Sequence, residues 1–237
     1  MPLPADGGVK TPLGGAAAPT GITRAADGTI YFAYAAGDSR LTGLWALRPG
    51  GQPRRIAALP ATSFPNGIAL DRASSEIYLA DSVLGIIWKV PRRGGTAQIW
   101  SANPALAPVT FIGANGLKVH RGAVWVSNTD AGTLLRIPIT RSGSAGPVQV
   151  RATGLNGIDD FAFTGRGDKV LAALFTSNRV VLIDSWGPGR TVLDATDGTQ
   201  NPTAVAVDGS AVVVTNSARG TGVDPNLITA RLSTGHR

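Results

Sequence analysis

Apolar side chains alternate with polar ones over short stretches along most of the chain, as in the segment PNGIALDRASSEIYLADS that begins at Pro65. A period of two residues is typical of β-strands with one buried face. Four other segments follow the same plan of an alternating strand, a turn, a second strand, another turn and a third strand. The equivalent positions in the five first strands are Thr20, Asn66, Asn115, Asp159 and Thr203.

These five positions are 46, 49, 44 and 44 residues apart, so the chain contains an internal repeat of about 46 residues. Short fourth strands are predicted at residues 54–57, 97–100, 148–150 and 190–193. A repeat of ~40–50 residues with four antiparallel strands is typical of a β-propeller blade. A β-sandwich would not explain the fixed period, and a parallel β-helix would need much shorter coils.

The sequence therefore predicts an all-β propeller with five visible blades. The blades are expected to start near residues 19, 65, 114, 158 and 202, after a flexible segment at 1–18. The last unit offers three strands, and its fourth would have to come from the N-terminal segment. Composition agrees with this fold class, because 31 Gly, one Met and a single Glu disfavour a helical bundle in a chain of 237 residues.

The absence of cysteine excludes disulfides, thiolate metal sites and iron–sulfur clusters. The net charge of +7 is spread along the chain, and its only basic doublets, at 54–55 and 92–93, lack aromatic neighbours that could stack bases. No specific nucleic-acid binding is expected.

Neither a signal peptide nor a run of eighteen apolar residues is present, so we expect no membrane span. We expect a cytoplasmic protein, or a secreted one if the N-terminus is truncated.

Four stretches resemble the senescence marker protein/gluconolactonase/luciferin-regenerating-enzyme-like family, a group of six-bladed calcium-dependent propellers. They are PNGIALD from Pro65, YLADSVLGIIWKV from Tyr78, GANGLKV from Gly113 and GIDDFAF from Gly157. The resemblance covers residues 19–217 and implies that the family's first blade is missing here. The chain is then a fragment, a true five-bladed ring or a ring completed by another chain. A monomer is expected, and an oligomer could form through an open blade edge.

The resemblance also implies a divalent cation, typically calcium, at one end of the central channel. Its ligands would be Asn66, Asn115 and Asp159, at the starts of innermost strands. The family's fourth ligand, a Glu from the first blade, has no counterpart: Glu76 lies at the far end of its blade, and Thr20 stands in the equivalent place.

The residues support such a site independently of the resemblance. Inner strands of a propeller run along its channel, so equivalent positions converge although they lie far apart in sequence. Amide and carboxylate oxygens are the ligands that hard cations take. The alternative is that Asn and Asp before Gly only shape the turn that enters each strand.

A cation at this place could polarise a lactone or ester carbonyl, and the resemblance implies lactone substrates. Asp159 would act as ligand or base, and Asp160 as an alternative base or a partner of Asp159. Regular strand alternation predicts that only one of the two faces the channel. His120 and His236 are expected at the surface, which argues against a histidine base. A non-catalytic propeller that binds a ligand or protein remains the alternative function.

Further polar residues are predicted at the same end of the propeller, where they would either contact substrate or cap the blade loops with hydrogen bonds. These rim candidates are Thr20, Asp81, Asn128, Asn178, Thr203 and Asn216. The strand tryptophans Trp45, Trp88, Trp100 and Trp125 are expected to pack between blades rather than to bind a sugar.

Overall fold

The computed structural model describes residues 18–184, 189–219 and 225–233. These residues form five antiparallel sheets, four of four strands and one of three. The first two blades comprise β1 (Ala18–Arg24), β2 (Ile30–Ala35), β3 (Gly43–Leu47), β4 (Arg54–Ala58), β5 (Pro65–Asp71), β6 (Glu76–Asp81), β7 (Ile86–Pro91) and β8 (Gln98–Ser101). The remaining blades comprise β9 (Ala114–His120), β10 (Ala123–Asn128), β11 (Thr133–Pro138), β12 (Gln149–Ala152), β13 (Ile158–Phe163), β14 (Val170–Leu174), β15 (Arg179–Ile183), β16 (Arg190–Leu193), β17 (Pro202–Asp208), β18 (Ala211–Asn216) and β19 (Asn226–Arg231).

The prediction of an all-β, five-bladed propeller is confirmed, including the short fourth strands of the first four blades. The fifth blade has three strands within the described ranges. The predicted flexible segment lies outside the described residues, except for Ala18, which begins β1.

Three-residue 3₁₀ turns at 104–106, 175–177 and 195–197 are the only helical elements in the described parts of the chain. Nowhere in those parts is there a helix with the length and apolar character needed to cross a membrane.

The hydrophobic core lies between the faces of successive blades rather than in one central cluster. Alternate residues of a strand pack in opposite directions: Leu79 joins the cluster between blades 1 and 2, and its neighbour Tyr78 joins the cluster between blades 2 and 3. Trp88, Trp100 and Trp125 belong to these clusters, so the prediction that the tryptophans pack between blades holds for these three. It does not hold for Trp45, which lies outside the clusters and stacks on Phe32 of its own blade. This alternation explains why the period of two is so regular in the sequence.

Each inner strand carries a β-bulge at its second or third residue, so that one extra residue is inserted opposite the second strand of the blade. In blade 3, for example, Asn115 and Gly116 together lie opposite Ser127. A bulge bends the strand and redirects its side chains. The five bulges contain Thr20, Asn66, Asn115, Asp159 and Thr203, which are the aligned positions of the repeat.

The glycine after each asparagine allows the next blade to approach closely. A Cβ atom on Gly67 would overlap the carbonyl oxygen of Asn115, and one on Gly116 would overlap the Asp160 carboxylate. Neither glycine has a positive φ, and both lie inside strands rather than in turns. The alternative that Asn-Gly forms the turn entering the strand is therefore wrong, because packing between inner strands, not turn conformation, requires the glycine.

Candidate functional site

Asn115 and Asp159 lie 44 residues apart in sequence and are in direct contact on neighbouring inner strands. The Nδ2 atom of Asn115 donates hydrogen bonds to Asp159 Oδ1 and to Thr129 Oγ1, both at 2.9 Å. The Thr129 hydroxyl in turn donates to the carbonyl oxygen of Ile158, at 2.7 Å. Asn115 is only 5% exposed, so its amide is fixed by blade 3 on one side and blade 4 on the other.

Asn66 has the same arrangement one blade earlier. Its Nδ2 atom donates to Ser82 Oγ at 3.3 Å, and Ser82 Oγ donates to the carbonyl oxygen of Ala114 at 2.8 Å. Asn66 is thus linked to the residue before Asn115 through a hydroxyl, and it forms no direct hydrogen bond with Asn115 or Asp159. The three predicted metal ligands occupy equivalent bulges on three successive inner strands, β5, β9 and β13.

The side-chain amides of Asn66 and Asn115 are held by hydrogen bonds that their N–H groups donate. Their oxygens are therefore available to a ligand. Within the described part of the chain, Oδ1 of Asn66, Oδ1 of Asn115 and Oδ2 of Asp159 accept no hydrogen bond. Two neutral amide oxygens and one carboxylate oxygen form a donor set suited to a hard divalent cation.

The Asp159 carboxyl lies in an electrostatically unfavourable place. Burial, reinforced by the negative charge of Asp160, raises its pKa to about 7, against the opposing effects of the Asn115 hydrogen bond and the Lys118 charge. The Lys118 ammonium contacts both oxygens of Asp160, at 2.6 and 2.8 Å. The ammonium pairs with Asp160 and not with Asp159, so Asp159 is left without a direct cationic partner among the described residues.

The expectation that Asp159 and Asp160 face opposite sides of their strand is wrong. Both carboxylates contact side chains of the same neighbouring strand, β9: Asp159 contacts Asn115 and Asp160 contacts Lys118. The reason is the bulge, in which Asp159 and Asp160 together lie opposite Ala173 and the regular alternation is interrupted.

The side chains of Asp81 and Asn128 form hydrogen bonds with the blade loops. Asp81 is fully buried and accepts from the backbone N–H groups of Phe64 and Leu84 and from Trp88 Nε1, while Ser63 Oγ also donates to it. Asn128 Nδ2 donates to two carbonyl oxygens, those of residues 105 and 107, and its Oδ1 accepts from the N–H of residue 131.

The other rim candidates also bond to backbone. Asn178 Oδ1 accepts from the N–H of residue 201, and Asn216 Nδ2 donates to the carbonyl oxygen of residue 198. Thr20 Oγ1 donates to the carbonyl oxygen of Pro65 at 2.6 Å, which links blade 1 to blade 2. Thr203 Oγ1 makes a long contact of 3.4 Å with the carbonyl oxygen of residue 215. This geometry is that of a polar cap on the blade loops.

The remaining titratable candidates lie away from these residues. Glu76 begins β6, at the opposite end of its blade, and its buried Oε2 atom has no hydrogen-bond partner among the residues that the structure describes. His120 ends β9, stacks on Phe163 with ring centroids 3.8 Å apart, and contacts the carbonyl oxygen of Gly167. His236 lies outside the described residues. In the ranges that the structure covers, no three His, Cys, Asp or Glu side chains form a metal-binding group.

Sequence reasoning missed three residues that support the site: Ser82 and Thr129, which orient the two asparagines, and Lys118, which binds Asp160. A signal for the first two was present. Ser82 and Thr129 are the third letters of the recurring ADS and SNT motifs, directly after the cap residues. Lys118 has no such signal, because its contact depends on how blades 3 and 4 pack.

No protein-family model matches this chain, and neither does any curated protein. Solved structures do resemble it. One is a crystal structure of the nidogen/laminin complex, with a TM-score of 0.71 and 18% identity over 90% of this chain and 76% of that chain. Another, with a TM-score of 0.62 and 18% identity over 84% of this chain and 71% of that one, is provisionally assigned as a gluconolactonase.

A third is regucalcin from Agrobacterium tumefaciens, described as a calcium-binding protein, with a TM-score of 0.60 and 18% identity over 83% of this chain and 67% of that chain. Among seven of the structures it resembles, the chain spans between 56 and 76% of their lengths. At these identities the likenesses show the β-propeller fold, which the chain shares with gluconolactonase-like proteins and regucalcin.

Proposed function

We propose that this protein is a metal-dependent hydrolase that opens a lactone or ester at a divalent cation, most readily Ca²⁺, bound by Asn66, Asn115 and Asp159. The observation that carries the proposal is a set of three side-chain oxygens that accept no hydrogen bond from any described residue and lie at equivalent bulges of three successive inner strands. Folding alone does not require polar groups at these bulges, because blade packing is satisfied by the apolar clusters on either side.

The residues present fit such a cation in chemistry and in charge. All three ligands are oxygen donors, and Asp159 with Asp160 brings two carboxyl groups next to one ammonium. The fourth ligand of the resembling family is missing, and Thr20 does not replace it, since its hydroxyl is committed to the carbonyl oxygen of Pro65. Three protein ligands leave coordination positions for water and substrate, as a catalytic site needs.

When bound, the cation would supply Lewis-acid polarisation of the substrate carbonyl. In this proposal the two carboxyl groups have different roles. Asp160 is held at both oxygens by Lys118, so it acts as a positioning residue that keeps a charge pair beside the site. Asp159 Oδ2 has no hydrogen-bond partner in the described chain, so it is the carboxylate oxygen that would bind the cation.

A second candidate function is a non-catalytic propeller that binds another protein. The missing glutamate ligand favours it, and so does the similarity to a propeller seen in the nidogen/laminin complex. In that case the three oxygens would bind a structural cation or only water.

Calorimetry with Ca²⁺ tests the first proposal, using the wild-type chain, Asp159→Ala and the control Asp208→Ala. Asp208 ends β17 and is an exposed carboxylate on another inner strand, away from the bulges. We expect Ca²⁺ binding and a raised melting temperature in the wild type and the control but not in Asp159→Ala. A screen of lactones and esters with an acid-release assay should then show cation-dependent ring opening. A well-folded wild-type chain that binds no Ca²⁺, Mg²⁺, Mn²⁺ or Zn²⁺ would refute this function and favour the binding module.

A further inference from the structure

Two neighbouring loops expose four large apolar side chains at the end of the propeller where the candidate ligands lie. Val83 and Leu84, on the loop between β6 and β7, are 37% and 38% exposed. Val109 and Phe111, on the segment that leads into β9, are 74% and 65% exposed. We call these four residues the apolar rim. Exposed apolar side chains are common singly, but a group on adjoining loops indicates a binding surface.

The backbones of the two loops are in contact. The N–H of Gly113 donates to the carbonyl oxygen of Ser82 at 2.9 Å. Gly85 packs against Ala107 so closely that a Cβ atom on Gly85 would overlap the Ala107 backbone. The two loops that carry the apolar rim therefore adjoin at the boundary between blades 2 and 3.

The segment that carries Val109 and Phe111 is held rigidly. One oxygen of Asp130, Oδ2, accepts hydrogen bonds from four successive backbone N–H groups, those of residues 109–112, at 2.7–3.1 Å. Partial burial would raise the pKa of Asp130, but the N–H groups of residues 110–112 outweigh it and hold that pKa below its usual value. A loop fixed in this way presents Phe111 to solvent at little further entropic cost on binding.

The apolar rim borders the candidate metal site through the chain itself. Ser82, which precedes Val83, is the residue that orients the Asn66 amide. Phe111 is followed within four residues by Asn115, and the segment between them enters β9 at the bulge. A molecule that placed a carbonyl between Asn66 and Asn115 would have apolar surface beside it on blades 2 and 3.

We infer that the apolar rim binds the apolar part of the substrate, so that the preferred substrate class is a lactone or ester with an alkyl or aryl substituent of several carbons. This inference rests on the proposed function, because it places the reacting carbonyl at the Asn66, Asn115 and Asp159 oxygens. The occupant is the substrate itself, since one loop contains the residue that orients Asn66 and the other leads directly into the strand that carries Asn115. Contact with a substituent withdraws apolar area from water, so affinity should rise with chain length.

The experiment compares a series of γ-lactones with four to twelve carbons on the wild-type chain, on Phe111→Ser and on the control Ile99→Ser. Ile99 is matched because it is 58% exposed and lies on β8, the outer strand of blade 2. Cation-dependent ring opening gives kcat/KM, and calorimetry of γ-dodecalactone gives binding whether or not the ring opens. We expect kcat/KM to rise with chain length and Phe111→Ser to reduce it roughly tenfold for the longest lactone, with little change for the shortest.

The experiment distinguishes failure of the hydrolase proposal from failure of the apolar rim as the substrate-binding surface. Binding of γ-dodecalactone that is weakened by Phe111→Ser but not by Ile99→Ser, without ring opening, would refute the hydrolase and retain the apolar rim as a ligand surface. Ring opening with no chain-length dependence, equal effects of the two variants, or no binding of γ-dodecalactone would overturn the apolar rim. A dimer in light scattering that dissociates in Phe111→Ser would also overturn it, because the surface would then be covered by a second copy.

Discussion

Replacement of Asp159 by asparagine should change the pH dependence of folding stability in the absence of a cation. The carboxyl has a pKa of about 7 in the folded chain against an ordinary value of 3.8, because burial and Asp160 disfavour its charge. The folded state therefore binds more protons than the unfolded state between these two values, and stability falls as pH rises from about 4 to about 7. The full difference corresponds to about 4 kcal/mol, and residual solvent contact reduces the expected loss to about 2–4 kcal/mol.

Asparagine has the shape of the protonated acid and can still accept the Asn115 hydrogen bond. In urea titrations with EDTA, Asp159→Asn should match the wild type near pH 4 and should be more stable than it by about 2–4 kcal/mol at pH 8. Added Ca²⁺ should raise the stability of the wild type at pH 8 and leave the variant unchanged. Equal pH profiles for the two chains, or wild-type stability that rises from pH 4 to pH 8 relative to the variant, would refute this account of the site.

Three other substitutions test the packing that surrounds the site. Gly67→Ala should destabilise the protein by about 2 kcal/mol or more in urea unfolding, because the new methyl group overlaps the Asn115 carbonyl oxygen; a neutral effect would contradict the close approach of the inner strands. Asp81→Ala should cost about 3 kcal/mol or more, since four donors lose a fully buried acceptor, whereas Asp81→Asn should cost less. Asp130→Ala should speed amide hydrogen exchange at residues 109–112 selectively, and exchange that is unchanged there would show that the carboxylate does not hold the loop.

Much of the fold could be predicted because the relevant signals are local and repeated. A strand with one face toward each neighbouring blade must alternate large apolar residues, and a period of about 46 residues repeats that requirement five times. The positions of Trp88, Trp100 and Trp125 followed from the same reasoning, since only large side chains fill the space between diverging blades. The convergence of Asn115 and Asp159 followed from topology alone.

The orientation of the site residues could not be predicted in this way. The sequence by itself determined a propeller, its strands and the end of the blades at which Asn66, Asn115 and Asp159 lie. Only the tertiary structure decided that Asp159 and Asp160 contact the same neighbouring strand, because a bulge arises from the pairing of two strands and not from either strand alone. It also decided that the polar rim residues form hydrogen bonds with the blade loops and that the apolar loops of blades 2 and 3 adjoin, since both depend on contacts between segments that are distant in sequence.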